Sequence, residues 1–341
     1  MQLKIVYSEV ALSNSINHRT LDNEVHRLCD LYAQGLFRET LSQTKHLLKQ
    51  FPSSTALYII SGDAYTKLKQ FDDAILHYNK AIDLKPDFAA SYFNLGVAQQ
   101  DKGDIKLALE SYKMAIKLNT NYLEAYFNIG GLLHETGNFE EAIDNYKYIL
   151  KLKPDHPDTY NNMGNTLKEM GQPELAIKYF KKAIKLNSNF AEAYNNQGNW
   201  FRDEGFLNES IVSLEMAISL KENYQEAFFN LGNSLKDQGK YDSALNYYDK
   251  ATKNNYFPEA KHERIYLRQQ ICEWSELEQL EKEFPKLGIT DASVKPFPFL
   301  SFEDHPKRQL IRASKYVSET HNIEPIHLDP KPKVRSDKIR V

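Results

Sequence analysis

Cysteine is scarce in this chain, with only Cys29 and Cys272 among 341 residues. Two thiols exclude a disulfide framework and a cysteine-rich zinc site, and they suit a reducing compartment. No apolar run approaches the roughly 18 residues that a membrane-crossing helix needs, which argues against a membrane partner. A large charge of one sign is also missing. Lysine and arginine total 43 against 46 aspartates and glutamates, a net charge of −3, so no global basic field draws nucleic acid or acidic lipid. The opening MQLKIVYSEVALSNS has a short apolar stretch broken by Glu9 and no basic leader. It does not read as a signal peptide, and the expected location is cytoplasmic.

The motifs of self-sufficient chemistry are missing too. No glycine-rich phosphate loop, GxSxG element or HExxH element occurs, and the ten histidines are scattered. His305 beside Asp304 reads as a surface residue at a helix start, and Cys272 and Trp274 read as packed side chains. The sequence therefore implies no catalytic residue, no metal site and no cofactor.

What the chain does have is a period. Gly62, Gly96, Gly130, Gly164, Gly198 and Gly232 are spaced by 34 residues without a slip. A fixed period of 20–50 residues marks an array of small stacked units. Counting each unit from Thr55, Ala89, Leu123, Pro157, Ala191 and Gln225, apolar residues recur at spacings of three and four along two stretches. Each unit is thus a pair of amphipathic helices. Glycine at position 8 and alanine at position 20 permit close helix approach, and aromatics at positions 4 and 24 fill the adjoining gaps. A second glycine series, Gly103, Gly137, Gly171, Gly205 and Gly239, falls where the first helix must stop, and glycine readily takes the left-handed conformation of a helix end. Ile149 replaces the small residue at position 27 and Ser210 the alanine at position 20. Neither change should break its hairpin.

This pattern resembles the tetratricopeptide repeat. The resemblance implies an all-α, right-handed superhelical solenoid with six repeats over 55–258. A worn repeat is expected over 21–54 after a lead segment 1–20, then a capping helix over 259–284. A proline-rich, partly helical connector is expected over 285–341, where seven of the thirteen prolines lie. Within it a helix over 304–320 is expected, started by Asp304 and Pro306.

The first helices of such an array face the inner wall. Position 6 supplies Asn94, Asn128, Asn162, Asn196 and Asn230, and position 9 adds Asn165, Asn199 and Asn233. Position 2 supplies Glu124, Asp158, Glu192 and Glu226, and position 13 is acidic in five units. A carboxamide both accepts and donates, so a ladder of them suits the backbone of an extended or disordered protein segment. Carboxylate rungs add a preference for basic or hydroxyl-rich peptides. The same amides also suit local hydrogen bonding, and the acids suit a solvated helix face; both readings stay open. Acidic and amide-rich rows argue against RNA.

The segment QQICEWSELEQLEKEF, with Cys272-Glu273-Trp274-Ser275, resembles the closing helix of the repeats in O-linked N-acetylglucosamine transferases and the related SPINDLY proteins. The stretches NTLKEMG, PFPFLSFEDHPKRQLIRASKYVSE and DKIRV are similar to parts of the same family. That resemblance implies a substrate-docking region that ends before a glycosyltransferase domain, with Asn94, Asn128, Asn162, Asn196 and Asn230 holding the acceptor backbone. The chain as given would not itself be an enzyme. The competing expectation is a free-standing tetratricopeptide scaffold or co-chaperone. A homodimer is left open, since no self-association patch is placed by the sequence.

Overall fold

In the computed structural model, residues 16–253, 258–272, 289 and 306–321 are described. Among them every regular element is an α-helix. The chain divides into two compact units, 1–186 and 187–341.

The first unit carries five helix pairs. The worn repeat is α1 (Ile16–Ala33) and α2 (Phe37–Gln50). Then follow α3 (Thr55–Lys67) with α4 (Phe71–Leu84), α5 (Ala89–Lys102) with α6 (Ile105–Leu118), α7 (Leu123–Glu135) with α8 (Phe139–Leu152), and α9 (Pro157–Glu169) with α10 (Pro173–Leu186). Helix α1 begins at Ile16, inside the stretch read as a lead segment. The second unit holds α11 (Ala191–Asp203) with α12 (Leu207–Leu220), α13 (Gln225–Asp237) with α14 (Tyr241–Thr252), then α15 (Pro258–Gln270) and α16 (Pro306–His321). Within each unit consecutive helices of the repeats pack on one another. The helices at Phe139 and Leu207 form intact despite Ile149 and Ser210, and Ser210 pairs with Ser234 of α13 at 2.8 Å between hydroxyls.

The repeat code has a definite steric meaning. In five of the six repeats the position-24 ring lies directly over the position-8 glycine, and Leu214 takes its place over Gly198. A Cβ placed on Gly62 would sit 2.5 Å from Tyr78, and on Gly164 2.6 Å from Phe180. Ala74, Ala108, Ala142, Ala176 and Ala244 at position 20 are completely buried. The aromatics at position 4 are half-buried, and Tyr58, Tyr126, Tyr160 and Phe228 do a different job from the one expected: they pair with rings of their own second helix, as in Tyr126–Tyr148 with centroids 4.4 Å apart. Larger side chains close the cores: Leu28, Leu57, Ile59, Ile60 and Tyr78 near the start of the first unit, and Leu214, Leu231, Leu245, Tyr248 and Leu267 in the second.

Each first helix of a repeat ends on a left-handed residue. At Gly103 (φ 95°) the amide bonds to Gln100 O and the next amide, Asp104 N, bonds to Gln99 O. This Schellman arrangement satisfies carbonyls that the helix end would leave bare. It recurs at Gly137, Gly171, Gly205 and Gly239. In the 55–88 repeat the position is Lys69, held at φ 59°.

The capping segment is shorter than expected in its described part. Helix α15 stops at Gln270 and the chain turns at Ile271–Cys272, with Cys272 at φ 57°. A left-handed residue terminates the i to i−4 ladder there, and residues 273–284 of the expected capping helix lie outside the described residues. Cys272 is exposed rather than packed, whereas Cys29 is buried. The expected helix near 304–320 is present as α16, whose Arg312 is completely buried. Trp274, Ser275, His305, the connector apart from Ile289 and α16, and the tail after 321 lie outside the described residues.

Candidate functional site

The asparagines of position 6 all stand half-buried on the first helices. The amide nitrogens of Asn94, Asn128, Asn162 and Asn230 reach back to the preceding repeat. In the first unit, Asn94 Nδ2 donates to Asp63 Oδ1 at 3.1 Å, and the same oxygen accepts from the Tyr78 hydroxyl at 2.6 Å. Asn128 Nδ2 donates to the Tyr112 hydroxyl at 3.2 Å, and that hydroxyl donates on to Gln100 Oε1 at 2.8 Å. Asn162 bonds in the same way to Tyr146. In the second unit, Asn230 Nδ2 donates to Asn195 Oδ1 at 3.0 Å. The position-6 rung therefore has a structural role, tying a repeat to the phenol that covers the previous repeat's glycine, or to a neighbouring polar group. One amide proton is spent in this way, and each carboxamide has a second donor and two acceptor lone pairs.

Burial drives the phenols. It raises Tyr78 and Tyr112 well above the ordinary tyrosine range, and Tyr146 is pushed up to about 12. Loss of a proton in the dry interior leaves a charge that the neighbouring hydrogen bonds only partly compensate. At Tyr146 the bond from Asn162 opposes that rise.

Position 9 behaves differently in the two units. Asn165 of the first unit is half-buried. In the second, Asn233 Oδ1 accepts from the Tyr248 hydroxyl at 2.7 Å, while Asn199 Oδ1 is buried without a hydrogen-bond partner. Of the position-2 acids, Glu124, Asp158 and Glu226 are exposed. Glu192 is already paired: its carboxylate meets Lys221 Nζ at 2.8 Å, and that contact holds its carboxyl below the usual range. The same ammonium lies 4.2 Å from the Tyr224 ring.

Three of the expected residues converge. Glu124, Asn128 and Asp158 line one open cavity of about 390 Å³ in the first unit. Phe93, Phe127 and Ile149 supply its apolar surface, and Lys153 and His156 complete the rim. The elements explain the placement. Phe93 and Phe127 are the position-5 residues of two successive first helices, so they fall side by side when the repeats stack. Ile149 is the departure from the small residue at position 27, and its extra carbons reach this cavity. His156 caps α9 by accepting from Thr159 N at 3.3 Å, with Pro157 at the first helical position, and its ring lies 5.9 Å from that of Phe127. The cavity thus offers an aromatic surface beside two carboxylates and one amide, a combination suited to a side chain with an apolar stem and a polar or cationic head. The remaining asparagines are not gathered into it. Sequence reasoning missed Phe93, Phe127 and Ile149 as site residues. The available signal was phenylalanine at position 5 of two successive repeats (Phe93, Phe127) where the next two have asparagine (Asn161, Asn195).

Among the described residues no group of histidine, cysteine and carboxylate side chains is arranged to hold a metal ion. No described helix is long and apolar enough to cross a membrane.

Comparison with known proteins gives the repeats their type. A family model described as "TPR repeat" matches residues 62–103 and 130–171, and one described as "Tetratricopeptide repeat" matches 89–122, 157–190 and 226–255. The matched segments are tetratricopeptide repeats. A probable UDP-N-acetylglucosamine–peptide N-acetylglucosaminyltransferase SEC of Arabidopsis thaliana is 29% identical over 79 residues, which is 23% of this chain and 8% of that protein. The chain thus matches only a small part of that relative's length. Among solved structures, a tetratricopeptide repeat protein from Parabacteroides merdae superposes with a TM-score of 0.62 at 17% identity, covering 72% of this chain and 98% of that one. The anaphase-promoting-complex hetero-tetramer Cut9–Hcn1 gives 0.59 at 17% identity, covering 78% and 52%. At these identities the likeness speaks to fold.

Proposed function

We propose that this chain is a protein-interaction module that docks extended or disordered polypeptide along the first-helix faces of its repeats. The observation that carries the reading is the convergence of Glu124, Asn128 and Asp158 on one open, aromatic-floored cavity. The asparagines Asn94, Asn128, Asn162, Asn196 and Asn230, with Asn165, Asn199 and Asn233, supply main-chain contacts. Glu124, Asp158, Glu192 and Glu226 favour basic or hydroxyl-rich segments. Net contributions of about 0.5–1.5 kcal/mol per hydrogen bond, offset by the ordering of the peptide, make such docking weak and broad.

The finer reading is that the module presents protein acceptors to an O-glycosyltransferase. Its support is the partial match to the Arabidopsis N-acetylglucosaminyltransferase and the resemblance of the Cys272–Ser275 segment to that family.

Peptide capture is tested by fluorescence anisotropy with labelled lysine- and serine-rich unstructured peptides. Replacing Asn128, Asn162 and Asn196 together with alanine should weaken binding by about tenfold or more. Glu124→Gln with Asp158→Asn should weaken the lysine-rich peptide selectively. Unchanged affinity in both variants rejects docking on this face. The acceptor role is tested with the full gene product, by following sugar transfer from a nucleotide sugar onto acceptor proteins. Absence of transfer leaves the scaffold reading in its place.

A further inference from the structure

Helix α12 departs from the other second helices. Its sequence, LNESIVSLEMAISL, contains Glu209 and Glu215 but no lysine or arginine, whereas every other described second helix carries at least one basic residue. Its inner face is conventional. Ser210, Ser213, Leu214 and Ala217 are buried, Leu214 lies against Gly198, and Ser213 donates to Gln197 Oε1 at 3.2 Å.

The outer face is not conventional. Val212 is 66% exposed and Met216 43% exposed, one helical turn apart, and Phe206 just ahead of the helix is 51% exposed. The repeat before has Lys178 and Lys182 at the positions of Val212 and Met216, and the repeat after has Asn246 and Lys250. Phe206 is also held in place: its ring stacks with Trp200 at 6.4 Å and meets Phe201 edge-on at 6.3 Å. An exposed aromatic already fixed by its neighbours loses little freedom when it is covered.

We propose that the outer face of α12, with Phe206, Val212 and Met216 at its centre, docks an amphipathic helix of a partner protein whose apolar stripe is flanked by lysine or arginine. Apolar residues one turn apart on a straight helix match the i, i+4 pattern of a second helix laid along it. The charges choose the partner. Glu209 and Glu215 are exposed beside the stripe, and no base on α12 balances them, so the complement carries positive charge. A second copy of α12 would bring like charges together, which disfavours self-pairing. This face belongs to a second helix, whereas the asparagine rows stand on first helices.

The test uses the whole chain and a labelled synthetic helical peptide with leucines at helix-stripe spacing flanked by lysines. Its controls are the same peptide with glutamates for the lysines and a scrambled lysine version. The chain should bind the lysine peptide best, and added salt should weaken that binding. Val212→Asn with Met216→Gln, both at exposed positions, should weaken binding by about tenfold or more while leaving the helical circular dichroism and the thermal midpoint unchanged. Equal binding of the three peptides, no binding at all, or an unaffected double variant overturns the proposal. So does a concentration-dependent dimer in sedimentation equilibrium that the double variant abolishes, because the face then belongs to a second copy.

Discussion

Gly130 lies beneath the ring of Tyr146. A Cβ built on the glycine would stand 2.5 Å from Tyr146 Cε1, closer than real contacts come. Gly130→Ala gains about 1 kcal/mol of helix propensity, but it must displace a buried ring that Asn162 also holds by its hydroxyl. Overpacking of this kind costs about 1–3 kcal/mol, so the variant should be less stable in urea denaturation. The partner decides the mechanism. In a Tyr146→Ala background the same change should cost nothing or stabilise, and an undiminished penalty there would refute the ring contact as its cause.

Lys69 offers the reverse experiment. It holds φ 59° at the helix end where five later repeats and the worn one have glycine. Its amide bonds to Thr66 O and that of Gln70 to Tyr65 O, so the cap is fully formed. A side chain in this region costs roughly 1–2 kcal/mol, while glycine adds entropy to the unfolded chain. Lys69→Gly should raise stability by about 0.5–1 kcal/mol. Lys69→Val should lower it, because a β-branched residue tolerates left-handed backbone poorly. A thermal melt of the three proteins gives the order.

His77 gives the fold an acid limit. Its ring sits between Tyr58 and Tyr65, with centroids 5.7 and 5.1 Å away, and its Nδ1 is buried without a hydrogen-bond partner. Burial lowers its pKa below the ordinary 6.5, against a smaller opposing pull from Asp73. The unfolded chain therefore takes up a proton that the folded chain resists. The contribution is fully present above about pH 6.5 and declines as pH falls toward the folded value. His77→Phe should flatten the stability profile in that window. The check is urea midpoints at stepped pH, and a variant that loses stability on acidification as steeply as the parent would show that another group is responsible.

Most of the fold was legible because steric constraints repeat. A glycine every 34 residues, a buried alanine and a second glycine series each have one cheap solution, and the helices follow from it. The candidate site was legible only in part. Position 6 announces a carboxamide, but which group of the preceding repeat takes its proton depends on the polar atoms that repeat offers, as Asp63 does for Asn94. Tyr112 and Tyr146 provide an acceptor at position 24, whereas Leu214 provides none, and Asn230 turns to Asn195 instead. Contacts between residues a full repeat apart escape a reading that treats each unit by itself. Ile149 makes the same point: it looks like wear in the pattern and proves to be a wall of the cavity. Cys272 failed for the opposite reason. Helical spacing around it was continued past a left-handed residue that nothing in the local composition marks.

The chain Asn128 to Tyr112 to Gln100 separates the structural duty of a rung from its docking duty. The phenol accepts from Asn128 and donates to Gln100, so its single proton is committed. Asn128→Ala removes one donor and should cost about 0.5–1.5 kcal/mol of stability. Tyr112→Phe removes the same bond from the other side together with the bond to Gln100, and the double variant should lose less than the sum of the two singles. Asn128→Asp is more costly than alanine, because a carboxylate faces a phenol oxygen that has no proton to give. The single variants Asn128→Ala and Tyr112→Phe should then diverge in peptide capture. If Asn128 contacts the ligand, Asn128→Ala weakens binding while Tyr112→Phe, which also gives up the bond to Gln100, leaves it nearly intact. If both weaken binding equally, the asparagine acts through the packing of its repeat and the ladder is a structural device.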